Sequence, residues 1–204
     1  MIAVIAPPIL FPREIRKLNF SEPRRNLPGR KGVATAEDRF TISFSRDYAL
    51  IYNKIHSSGN LSQLAVAREI PVNGYGIADL MAVSWNLAEQ RFEDIEDFLR
   101  SGKPRTRAFE CKLDNWRKAM SQAHRYRYFA HQAIVVLPEN ICHRALPYIE
   151  TFRKIRVGLW GYDPKMHRIT AYHTPRPMKP KSGRYYIHSV RQFNQATGQS
   201  LPIP

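Results

Sequence analysis

Cysteine is nearly missing from this sequence: Cys111 and Cys142 are the two among 204 residues. So few cysteines in a chain of this size give no disulfide framework and fit a reducing compartment. Acidic residues are also short, 17 Asp and Glu against 32 Lys and Arg, for a formal charge of +15. A charge of that sign favours polyanionic partners, because each neutralised phosphate releases condensed counterions. No apolar run reaches the ~20 residues that cross a bilayer, so no membrane partner is expected. The opening "MIAVIAPPILFPREIRK" has its apolar patch broken by Pro7, Pro8 and Pro12 with no basic residue ahead of it, a poor signal peptide. The expectation is a soluble, cytoplasmic protein. Neither a Walker loop nor a GxGxxG is present, and the seven histidines lack zinc-ligand spacing.

What is present is a globular composition, 43% apolar with ten Phe, ten Tyr and three Trp, enough for one domain with a true core. Residues 1–38 are basic and Pro-rich and read as an N-terminal arm; residues 175–204 read as a basic, Pro-rich tail with a helix at "SVRQFNQA". Between them, over 39–174, "RDYALIYNKIHSS" and "NLSQLAVARE" space their apolar residues as helices. "EIPVNGYGIADLMAVSW" reads as strand, Asn-Gly turn and strand. A short acidic helix follows and ends at Gly102 and Pro104. Phe109 to Leu113 form a strand, Asp114 is the expected N-cap of the next helix, and "QAIVVLP" is a buried strand of the parallel-sheet kind. "CHRALPYIETFRK" is expected to be helical despite Pro147, and a hairpin turns at Asp163-Pro164. The order implies an α/β domain with a central mixed sheet.

Two strands carry charges that a half-buried strand should avoid. Side chains alternate along a strand, so Glu110 and Lys112 share one face while Phe109, Cys111 and Leu113 share the apolar other. Asp79 stands inside "GIADLMAV", with Ile77 and Met81 on its own face. Burying such a carboxylate costs several kcal/mol, ~2–7, unless it is paired, hydrogen-bonded or bound to metal. If the strands pair, Asp79, Glu110 and Lys112 converge at one edge. Two carboxylates with a backbone carbonyl form a hard oxygen site suited to Mg²⁺. Such an ion suits phosphodiester hydrolysis, and the net charge fits a nucleic-acid substrate. The simpler alternative is a surface ion pair between Glu110 and Lys112, which leaves Asp79 unexplained.

The run "GIADLMAV…AFECKLDNWRKAMSQA" resembles the PD-(D/E)xK nuclease superfamily, whose fold is the restriction-endonuclease-like core. The resemblance spans about residues 45–140. It implies Asp79 and Glu110 as metal ligands, the Cys111 carbonyl as a further ligand, and Lys112 positioning or activating the attacking water. It also implies a helix facing the site. There Gln122 and Tyr126 are spaced as the QxxxY of the RecB-like branch, with Gln122 assisting catalysis. Family members often carry an upstream acidic residue on the first helix or the next strand; Glu69 is the candidate here, with Asp47 behind it. The implied cofactor is Mg²⁺, with Mn²⁺ able to substitute, and the implied activity is hydrolysis of DNA.

"HRYRYF" and "GRYYIH" interleave basic and aromatic residues, types that grip phosphates and stack on bases. Arg125, Arg127, Tyr126, Arg176, Lys179, Lys181 and Arg184 are the candidate nucleic-acid contacts. A homodimer or a larger nucleoprotein assembly is a further expected form. The alternative to an enzyme is a non-catalytic nucleic-acid-binding or nucleoprotein-assembly protein on the same fold.

Overall fold

The computed structural model describes residues 35–56, 62–86, 92–198 and 201–203. Among the described residues six strands form one sheet in chain order: β1 Ser62–Val72, β2 Gly76–Asn86, β3 Arg105–Cys111, β4 Gln132–Pro138, β5 Gly158–Asp163 and β6 Arg168–His173. β3, β4 and β5 run parallel, and the three remaining pairings are antiparallel. The fold is therefore α/β with a mixed sheet flanked by helices.

Helix α1 (Ala36–His56) covers one face. Its Phe40, Phe44 and Tyr48 pack with Leu80, Phe109, Cys111, Ile134 and Val136. The opposite face is covered chiefly by α3 (Trp116–Tyr126), α4 (Glu139–Ala145), α5 (Ile149–Ile155) and α6 (Gly183–Ala196), the last contributing Val190 and Phe193 to the core. The short α2 (Ile95–Ser101) is capped by Asp94 and closed at Gly102. β3 behaves as its alternation requires: Phe109 and Cys111 face α1, and Leu113 packs onto that same cluster. β4 is buried from Gln132 to Leu137, as a strand covered on both faces must be.

Several local expectations are corrected. α1 starts ten residues before "RDYALIYNKIH", because Thr35 and Asp38 cap it reciprocally: Asp38 N donates to Thr35 Oγ1 (3.1 Å) and Thr35 N to Asp38 Oδ2 (2.8 Å). The arm drawn as 1–38 therefore gives way to helix at Ala36; residues 1–34 lie outside the described residues. The described part of "NLSQLAVARE", residues 62–69, is strand β1, not helix. It buries both faces, Leu64 and Val66 towards α1 and Ala65 and Ala67 towards the other side, so no alternation shows. Asn115 rather than Asp114 caps α3, accepting from Lys118 N at 3.1 Å. Pro147 does interrupt its helix, as a 3-10 turn at Leu146–Tyr148 between α4 and α5. The tail beyond Pro175 is built into the domain: Met178 N, Lys181 N and Ser182 N donate to the carbonyls of His131, Arg127 and Tyr128, each at 3.0 Å.

Candidate active site

The site lies where β2 and β3 run side by side. The pair Leu80–Phe109 sets the register, so one step further Asp79 stands beside Glu110. The β1–β2 ladder skips the step between Arg68–Leu80 and Ile70–Ala78, and Glu69 there has a left-handed backbone, φ 57. Alternation changes phase at the same place. Ala78 lies with Met81 in the core under α3 and α6, while Leu80 and Ala82 face α1. Asp79 is thus an irregular point in β2, correcting the regular alternation expected of "GIADLMAV". Its Oδ2 accepts from Cys111 N at 2.9 Å, which ties it to β3.

Lys112 is the hub. Its Nζ lies 2.6 Å from Glu37 Oε1, 3.1 Å from Glu110 Oε1, 3.3 Å from the Cys111 carbonyl and 3.8 Å from Asp79 Oδ2. Sequence reasoning brought Asp79, Glu110, Cys111 and Lys112 together correctly in space. It missed Glu37, which it had assigned to the arm; the signal was the Thr35–Asp38 cap, which places Glu37 in the first turn of a helix. Glu69 falls at the step that the β1–β2 ladder skips, and Glu37 is the acidic side chain that α1 places on Lys112. Asp47 is engaged elsewhere, accepting from Tyr162 and lying 3.1 Å from His167 Nδ1.

The electrostatics follow from burial. Glu110 has 1% of its side chain exposed, Lys112 14%, Asp79 27% and Glu37 38%. Burial, then the Glu110 charge, pushes the Asp79 carboxyl up to about 7, against the Lys112 charge and the Cys111 N–H. Burial raises Glu110 as well, against the Tyr126 hydrogen bond and the Lys112 charge. For Lys112, burial pulls downward, but Asp79, the Glu37 hydrogen bond and Glu110 outweigh it and hold the ammonium above the usual lysine value. Lys112 is therefore a fixed cation at neutral pH.

Helix α3 supports the site from the other face. Tyr126 Oη donates to the Ile77 carbonyl at 2.7 Å and also hydrogen-bonds Glu110 Oε2. Tyr126 is 1% exposed, which corrects its assignment as a nucleic-acid contact: it orients Glu110 instead. Gln122 is one turn earlier on the same helix face, and its Oε1 is buried without a hydrogen-bond donor. Of the basic candidates, Arg127 donates to the Ile155 carbonyl at 2.8 Å, whereas Arg125, Arg176, Lys179, Lys181 and Arg184 are exposed.

Among the described residues, no group of three or more His, Cys, Asp or Glu forms a ready-made metal cage. The ammonium of Lys112 stands between the carboxylates instead. The residues nonetheless fit a divalent ion. Three carboxyls face one ammonium, and a divalent ion among them would favour their ionised forms. Glu110 Oε1 is buried against the Lys112 ammonium at 3.1 Å, so a divalent ion at this oxygen would share it with a cation already in place. The donors, Asp79, Glu110 and the Cys111 carbonyl, are all hard oxygens. Compared with protein-family models, curated proteins and solved structures, the chain shows no match.

Proposed function

We propose that this protein is a divalent-metal-dependent nuclease that hydrolyses phosphodiester bonds in DNA, with a restriction-endonuclease-like core. The reading rests on one observation, the cluster of Glu37, Asp79 and Glu110 around Lys112 where β2 meets β3. The resemblance of "GIADLMAV…AFECKLDNW" to PD-(D/E)xK nucleases supports it, as does the charge of +15. Asp79, Glu110 and the Cys111 carbonyl would hold Mg²⁺ or Mn²⁺, with Glu69 a further candidate ligand. A bound ion of this kind polarises a phosphoryl oxygen and acidifies bound water.

The chain's own residues divide the remaining work. Lys112, held protonated, donates hydrogen bonds: it positions the attacking water and counters negative charge on the phosphate oxygens, rather than removing a proton. Glu37 fixes the ammonium at 2.6 Å. Tyr126 fixes Glu110 from behind, and Gln122 offers a polar group one turn away.

A second reading, a non-catalytic nucleic-acid-binding protein of the same architecture, draws on the ammonium that already balances part of the cluster's charge. Incubation of supercoiled, linear duplex and single-stranded DNA with Mg²⁺, Mn²⁺ or EDTA separates the two. Cleavage by the wild type that needs the metal, and falls ~10²–10³-fold in Lys112→Ala, is the expected result. Salt-sensitive binding with no metal-dependent product would replace the nuclease reading with the second one.

A further inference from the structure

Beside the cluster lies a second feature that cleavage chemistry does not use. Tyr75, in the β1–β2 turn, stacks on Tyr128 just past α3, with ring centroids 4.6 Å apart and planes at 30°. Tyr185, in the first turn of α6, meets Tyr75 edge-on at 4.5 Å. All three rings are half-buried, Tyr75 and Tyr185 resting partly on the core, and their hydroxyls, which are not buried, hydrogen-bond no other described residue. A tyrosine recruited only for a core normally ties down its hydroxyl, as Tyr126 does on Ile77.

The surroundings are cationic. Lys181 Nζ sits 4.9 Å over the Tyr128 ring. The Arg125 guanidinium lies against Gly76, 3.8 Å from where a Cβ would stand. Exposed Lys179 and Arg184 flank Lys181 and Tyr185 in the sequence. No acidic residue occurs from Asn115 to Pro138 or from Pro175 to Pro204. The backbone bonds from Lys181 and Ser182 to Arg127 and Tyr128 hold the tail against the end of α3, so the aromatic rings and the cations are set in advance. The location is equally specific. Tyr75 precedes Ile77 by two residues and Tyr128 follows Tyr126 by two. The Tyr126 hydroxyl bonds both the Ile77 carbonyl and Glu110.

We infer that Tyr75, Tyr128 and Tyr185, with Lys181 and Arg125, form a stacking platform for unpaired bases of single-stranded DNA next to the Asp79–Glu110–Lys112 cluster. Rings grip bases of any sequence because every base has a π-face, while cations take the phosphates. A duplex keeps its bases stacked on one another and offers this surface phosphates alone. The inference deepens the nuclease reading and rests on it for the position of the cut; binding itself is measured without cleavage.

The test is fluorescence anisotropy in EDTA with labelled oligo-dT and with a duplex of equal length. The expected result is tighter binding of the single strand, weakened ~10-fold by Tyr75→Leu or Tyr128→Leu with little change for duplex. Leucine keeps apolar bulk in the cluster. As a check independent of any variant, bromodeoxyuridine strands are photocrosslinked to the wild type, and adducts are expected on Tyr75, Tyr128 or Tyr185. Duplex bound as tightly as single strand, equal losses for both ligands, or crosslinks confined to other regions would overturn the platform. Metal-dependent cleavage alongside such a failure leaves the nuclease reading standing. Single-strand binding by the tyrosines without cleavage does the reverse.

Discussion

Glu110→Gln is expected to abolish DNA cleavage while raising the melting temperature of the metal-free protein. The side chain is buried, with Lys112 Nζ 3.1 Å from its Oε1, so the folded chain holds a carboxylate where burial disfavours its charge. Glutamine keeps the shape and meets every neighbour. Its amide N–H donates to Tyr126 Oη, the phenol hydrogen stays on the Ile77 carbonyl, and its carbonyl accepts from Lys112. Removing one of two neighbouring buried carboxylates relieves mutual repulsion, a gain on the order of 1 kcal/mol. The same change removes a proposed metal ligand, and the loss of rate is expected to be ~10³-fold or more. Cleavage assays and thermal denaturation in EDTA check the two halves separately. An active variant would remove Glu110 from the chemistry. A destabilised one would mean that the Lys112 pair outweighs the burial of Glu110.

In EDTA, the wild type is expected to lose stability relative to Asp79→Asn as pH rises from 5 to 8. Asp79 has its carboxyl pushed up to about 7 in the folded state, from an ordinary value of 3.8, by burial and then by Glu110. Between those values the native protein keeps a proton that the unfolded chain has released. That contribution is full below the unfolded value, shrinks as pH rises through the window, and is gone above about 7. Its size is on the order of a few kcal/mol. Asparagine keeps an oxygen for Cys111 N and carries no charge, so its curve lacks the Asp79 share of the decline and keeps the smaller one that buried Glu110 contributes. Comparing the two proteins at each pH cancels half-buried His131. That imidazole is held down to about 4 by burial and works in the opposite direction, costing stability as pH falls below the ordinary histidine value. Chemical denaturation across the range is the measurement, and parallel curves would mean that Asp79 titrates normally.

The parts of the site legible in the sequence were those on regular elements. Glu110 and Lys112 could be placed because β3 alternates cleanly, with Phe109 and Cys111 on the α1 face. "QAIVVLP" was readable because a strand covered on both sides must be apolar throughout. Other parts depended on tertiary context. β1 has apolar residues on both faces and a left-handed Glu69, so its spacing imitates a helix. Asp79 was found as an out-of-place charge, but the phase change around it needed the β1 register to be seen. Glu37 was hidden because a basic, Pro-rich lead-in conceals a helix start whose signature is the two side chains Thr35 and Asp38. Tyr126 reads both as the QxxxY partner on a helix facing the site and as an aromatic in a basic run; α3 placed against the sheet buries it on Glu110.

The central claim is that the carboxylates around Lys112 hold a divalent cation. Titration of Mn²⁺ at pH 7.5, read by electron paramagnetic resonance, tests it on the wild type and on the double variant Asp79→Asn, Glu110→Gln. The expected result is a single saturable site in the wild type that disappears in the double variant while the fold is kept. Mn²⁺ binding that is absent from the wild type, or unchanged in the double variant, would contradict the claim.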